Sequence, residues 1–124
     1  MPAHTPEEVF RRYTAAFNRG DLAEVMALYE PHATFVLQPG QAVTGHAAIR
    51  HALSGFLALK PTITSTIMNI VQAEDVALVF SNWTLTGSNP DGTPMTMGGR
   101  SIDVLRRQAD GAWLVVIDNP FGAP

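Results

Sequence analysis

The stretch Ser101-Ile102-Asp103-Val104-Leu105-Arg106-Arg107-Gln108-Ala109-Asp110-Gly111-Ala112-Trp113-Leu114-Val115-Val116-Ile117-Asp118 decides the fold. Two runs rich in Ile, Val, Leu and Trp flank Asp110-Gly111, a dipeptide that tolerates the backbone of a tight turn and is the strongest short-range mark of a β-hairpin. With Asp110 and Gly111 as the two loop residues, Ala109 stands opposite Ala112, and counting outward sets Asp103 opposite Asp118. Side chains alternate faces along a strand. Both carboxylates therefore share a face with Leu105, Leu114 and Val116, while Ile102, Val104, Trp113, Val115 and Ile117 take the other.

Neither face is polar, and that gives the pair its interest. Like charges directly opposed across a sheet repel, and two carboxylates on an apolar surface cannot both ionise cheaply. At least one is expected to keep its proton near neutral pH. The reading depends on register, because a slip of one residue turns every side chain over. Asp118 also precedes Asn119-Pro120, so it either faces Asp103 or lies at a solvated strand end.

Upstream of the hairpin, Thr5-Pro6-Glu7-Glu8 combines an N-cap, a proline in the first turn and a glutamate completing a capping box. Val9, Phe10, Tyr13, Ala16 and Phe17 follow at helical spacing, and Gly20 ends the helix. Asp21-Leu22-Ala23-Glu24 repeats the capping signature. Val25, Met26, Leu28 and Tyr29 extend a second helix until Pro31 stops it. Ala33 to Leu37 reads as a short strand, Gln38-Pro39-Gly40-Gln41 as a loop, and His46 to Leu59 as a third helix introduced by Gly45 and stopped by Lys60-Pro61. Strands follow over Thr62 to Ala73, Val76 to Gly87 and Met95 to Arg107. Helices first and long antiparallel strands second argue for an α+β fold.

The 124 residues suit one domain, spanning 1–124, with enough chain to bury a core. There are no cysteines, so disulfides and thiolate metal sites do not arise. Net charge is -3 and Lys60 is the sole lysine, which leaves no basic stripe for nucleic acid. No apolar run nears the ~20 residues of a membrane helix, and the first residues lack the basic and apolar regions of a secretory signal; a cytoplasmic location is expected. His46 and His51 are too far out of phase on a helix to share a ligand, so no metal site is expected. Three short helices can cover only one face of a doubly apolar sheet. The other face, with Trp113, Val115 and Ile117, is expected to pack against a second copy in a homodimer.

Arg12-Tyr13, Phe17-Asn18-Arg19-Gly20-Asp21-Leu22, Leu28-Tyr29-Glu30-Pro31-His32-Ala33-Thr34, Thr44-Gly45 ahead of Ile49, and Ile102-Asp103-Val104-Leu105-Arg106 together resemble the ketosteroid isomerase and SnoaL-like branch of the NTF2-like superfamily. The resemblance spans nearly the whole chain. It implies a cone: N-terminal helices packed on a strongly curved antiparallel sheet that encloses an apolar pocket, with dimerisation through the convex side. In the isomerases of that branch a tyrosine on the first helix and a protonated aspartate on a late strand donate to an enolate oxygen. Tyr13 and Asp103 match those positions. The general base of the family falls on Leu37, or at nearest Gln38, and neither can take a proton. Asp118 is the inward carboxylate that could replace it.

The resemblance thus implies a cofactor-independent isomerase, lyase or cyclase acting on a small to medium apolar carbonyl compound, with Tyr13, Asp103 and Asp118 as the reacting groups. Phe17, Phe35, Leu37, Phe56, Trp83, Met97, Val116 and Phe121 are the expected pocket residues. Two other readings stay open. One is an accessory protein that only holds an apolar ligand. The other is water activation as in epoxide hydrolases of the superfamily, which calls for an arginine between two carboxylates. Arg100 would supply it only if a bulge at Gly98-Gly99 turned it inward. His32, after Pro31, is a surface turn residue or a rim acid-base group.

Overall fold

In the computed structural model, which describes residues 3–123, the two N-terminal caps form as their sequences dictate. The Thr5 hydroxyl accepts from the Glu8 amide at the start of α1 (Pro6–Asn18), and the Asp21 carboxylate accepts from the Glu24 amide at the start of α2 (Leu22–Met26). Met1, Pro2 and Pro124 lie outside the described residues. Strand β1 (Tyr29–Gln38) turns through Pro39-Gly40 into β2 (Gln41–Thr44), and α3 (His46–Leu57) follows Gly45. Strands β3 (Thr62–Ala73), β4 (Val76–Ser88), β5 (Pro94–Arg107) and β6 (Trp113–Ala123) complete one six-stranded sheet in the order β2-β1-β6-β5-β4-β3. Among the described residues no helix is long and apolar enough to cross a membrane.

Two features depart from the sequence reading. Tyr29 opens β1 instead of closing α2, and Pro31 lies within that strand. The cause is tertiary: β1 runs parallel to β6, with the Val115 amide donating to the Leu28 carbonyl and Phe35 level with Asp118. The sheet is therefore mixed, not wholly antiparallel. In addition, β2 pairs with β1 where the sequence suggested only a loop.

The decisive hairpin holds its expected outer register by an unexpected route. Gln108 donates to the Ala112 carbonyl, so the loop has three residues, Ala109-Asp110-Gly111, with Gly111 at φ 88°. That shifts the pairing by one, to Arg107 with Trp113 and Leu105 with Val115. Val116 is then left out of the ladder as a bulge, and Val104 pairs with Ile117 and Asp103 with Asp118, as counted from a two-residue loop. Between loop and bulge the faces are exchanged. Trp113 and Val115 are buried in the core beneath the helices, not on the outer face, and Val116 does not reach the pocket.

The outer face is apolar nonetheless. Val71, Leu78, Val104 and Ile117 stand in one row across β3, β4, β5 and β6. Because the αL backbone at Gly111 disfavours a Cβ, Gly111→Ala is expected to destabilise the protein by about 1–2 kcal/mol. Urea unfolding checks this, and an unchanged midpoint would show that the loop relaxes freely.

Candidate active site

Helices α1 and α3, strand β1 and the concave face of β3 to β6 line a cavity of about 120 Å³. Tyr13 from α1, Asp103 from β5 and Asp118 from β6 all line it. So do Phe17, Phe35, Leu37, Phe56, Trp83, Met97 and Phe121, whereas Val116 does not and Val115 takes its place. Trp83 faces inward because the β4–β5 ladder is unbroken from Val76–Arg106 to Ser88–Pro94, with Trp83 opposite Gly99. That same continuity rules out a bulge of β5 against β4 at Gly98-Gly99. Arg100 is exposed, and Ser101 is the buried residue two before Asp103 on the inner face. His32 is exposed on β1, and His46 spends its Nε2 on the Tyr29 carbonyl at 2.9 Å. Among the described residues no group of three or more His, Cys, Asp and Glu is placed to hold a metal ion.

The polar groups form one chain with a defined direction. Tyr29 Oη donates to Asp118 Oδ2 at 2.5 Å. A phenol has a single proton, so Tyr29 accepts from Tyr13 in their 2.9 Å contact. From the other side, the Asn119 amide donates to Asp103 Oδ1 at 2.9 Å, and Ser101 Oγ lies 3.4 Å from Asp103 Oδ2. Ser81 and Ser101 are hydrogen-bonded at 2.5 Å beneath the pair. The two aspartates stand directly opposite each other across β5 and β6, and both line the cavity.

Burial, then the neighbouring Asp118 charge, pushes the Asp103 carboxyl well above the usual carboxylate range. Burial also raises Asp118, but hydrogen bonds from Tyr29 and Asp103 hold its charge and oppose the rise. As a pair the two carboxyls hold a proton more tightly than isolated carboxylates do. Both phenols are pushed well above their ordinary range by burial and then by Asp118, so they remain neutral donors. Tyr29 is the group that sequence reading missed. Its apolar helical spacing hid it, and the only clue was its place directly before a strand candidate.

Residues 10–116 match the SnoaL-like domain. The chain belongs to this family. With its helices on a curved sheet, it has the NTF2-like fold and falls in the SnoaL and ketosteroid isomerase-like branch. It is similar to a ketosteroid isomerase-like protein from Erwinia carotovora atroseptica, with 25% identity over 90% of this chain and 88% of that one and a TM-score of 0.78. A protein of unknown function described as NTF-2 like, from Shewanella oneidensis, aligns at 19% identity over 90% of this chain and 92% of that one, with a TM-score of 0.76. A Salmonella enterica NTF2-like superfamily protein aligns at 18% identity over 90% and 84%, also with a TM-score of 0.76. No curated protein matches the sequence.

The raised Asp103 makes a prediction about stability. A carboxyl whose folded pKa exceeds its unfolded value binds more protons in the native state, so its contribution is full below the unfolded pKa and is lost as pH rises through the folded one. Asp103→Asn keeps a neutral side chain at every pH. Its melting temperature is expected to fall less than that of the parent between pH 4.5 and 8, and to exceed the parent's at pH 8. Parallel melting curves across that range would contradict a protonated Asp103.

Proposed function

We propose that the protein binds a small apolar carbonyl compound in this cavity and moves a proton on it, as an isomerase- or cyclase-type enzyme. Asp118 is the general base and Asp103 its proton-bearing partner. The observation that carries this reading is the placing of Asp118: Tyr29 donates to it directly, Tyr13 donates to Tyr29, and Asp103 stands opposite on the facing strand. A carboxylate so placed is ionised yet made more basic by burial, the condition a general base needs near neutral pH.

In the proposed step, a C–H bond next to the carbonyl breaks, its proton goes to Asp118, and its electron pair becomes the enolate. Asp118, now neutral, no longer needs two donors. The Tyr13 hydroxyl and the Asp103 acid proton, both on the cavity wall, can then turn to the enolate oxygen, where charge has grown. Return of the proton from Asp118 to another carbon completes an isomerisation. The base therefore sits on β6, while the position that the resemblance gives to a base on β1 is the hydrocarbon wall of Leu37. Leu37 also supports the competing reading, a protein that holds the ligand without turnover.

Exchange of α-protons in D₂O separates the two. Cyclohexanone or 2-cyclohexenone followed by ¹H NMR is expected to exchange faster with the protein than in buffer, and Asp118→Asn to slow that exchange by about 10²-fold or more. A ketone that binds without any gain in exchange would leave only the holding role.

We also propose that the outer row of Val71, Leu78, Val104 and Ile117 is covered by a second copy. Val71 is 51% exposed and Met68, on the neighbouring bulge of β3, 60%. A contiguous apolar strip of this kind across four strands is costly in water, and two-fold symmetry lets the strip cover itself. Sedimentation at micromolar concentration is expected to give a dimer, with Leu78→Lys shifting it to monomer. A monomeric parent protein would end this proposal.

A further inference from the structure

The shape and charge of the cavity restrict what can enter it, and β6 supplies the restriction. From Asn119 to Ala123 the strand spends four steps where β5, from Ile102 to Arg100, spends two, so the chain bulges at Pro120-Phe121-Gly122. The bulge carries Phe121 against the indole of Trp83, with ring centroids 5.9 Å apart and an edge-on angle of 70°. The indole Nε1 donates to the Pro120 carbonyl at 2.9 Å and so holds the bulge in place. Gly99 makes room for this contact: a Cβ there would lie 3.1 Å from the Pro120 oxygen and 3.3 Å from the indole nitrogen. Trp83 stands level with Gly99, two inward positions along β5 from Asp103. At ~3.3 Å per residue this is about 13 Å of strand, from which the carboxyl at one end and the aromatic pair at the other must both be subtracted.

What remains is about 120 Å³, close to the ~150 Å³ of an apolar cavity that accepts one benzene ring. None of the described residues lining it is Lys, Arg or His, while two are aspartates. A carboxylate or phosphate on the ligand would lose its hydration and meet a negative site without a counter-ion.

We propose that the cavity takes an uncharged molecule of single-ring size with one polar end group at Asp103 and Asp118, and that Phe121, clamped by Trp83, is the residue that sets the size limit. The proposal rests on the reading above that this cavity is the binding site, but not on turnover.

The test is titration of the ¹⁵N-labelled protein, following the Trp83 indole N–H, with four probes: phenol, cyclohexanone, benzoate and 2-naphthol. Phenol and cyclohexanone are expected to move that signal, and benzoate and 2-naphthol to bind at least tenfold more weakly than phenol. Phe121→Ala is expected to bring 2-naphthol to within threefold of phenol, with Phe121→Leu between the two and serving as the variant closer to native packing. Benzoate binding as tightly as phenol would overturn the charge rule. 2-Naphthol binding the parent as tightly as phenol, or both variants keeping the parent's preference, would overturn the role of Phe121. No response to either single-ring probe would overturn the proposal as a whole. Phenol and cyclohexanone binding with no α-proton exchange would sink the enzymatic reading and leave this one standing.

Discussion

Asp103 and Asp118 are held side by side in a cavity to which the described residues bring no cation, and burial pushes both carboxyls toward keeping a proton. Two unit charges ~4 Å apart repel by about 4 kcal/mol at an effective dielectric constant of ~20, before either has been desolvated. Sharing one proton converts that repulsion into a hydrogen bond. Three parts of the fold place donors on this pair or on the tyrosine that reaches it. The first helix brings Tyr13, the parallel strand brings Tyr29, and the backbone of β6 brings the Asn119 amide. The parallel β1–β6 pairing matters most, since without it Tyr29 would have no route to Asp118.

How much of this could be read from the sequence depends on the range of the interaction. The caps at Thr5 and Asp21 are local, and both form as read. The facing of Asp103 and Asp118 was also legible, but through two opposite register shifts that cancel. Asp110-Gly111 marks the turn correctly without revealing that Ala109 joins the loop, and nothing about Val116 marks it as a bulge. With apolar residues on both faces of β6, alternation could not expose the exchange. Trp113 and Val115 were accordingly placed on the wrong side, and Val116 was given the place in the cavity wall that Val115 fills.

Tyr29 illustrates the opposite limit. Asp21 to Glu24 starts a helix, and Val25, Met26, Leu28 and Tyr29 continue its apolar spacing, so local preference carries the helix too far. What ends it is a parallel partner more than eighty residues away, at Val115, and no local pattern encodes such a partner. The resemblance to ketosteroid isomerases supplied Tyr13 and Asp103 but could not supply Tyr29's link to Asp118, because it concerns residue types at positions and not the direction of a hydrogen bond.

That direction bears on the chemistry. On one side Tyr13 gives to Tyr29 and Tyr29 to Asp118; on the other, Ser101 and the Asn119 amide give to Asp103. A surround of donors is favourable to one negative charge and, at this burial, cannot support two. A pair carrying one negative charge has both a base and an acid in contact, which is the state the proposed step uses. An oxyanion hole made of Tyr13 and Asp103 alone would need both donors free and aimed at a common point in the cavity. Here Tyr13 is engaged through Tyr29 and Asp103 faces Asp118, so in the proposed step they turn to a ligand as that carboxylate is neutralised.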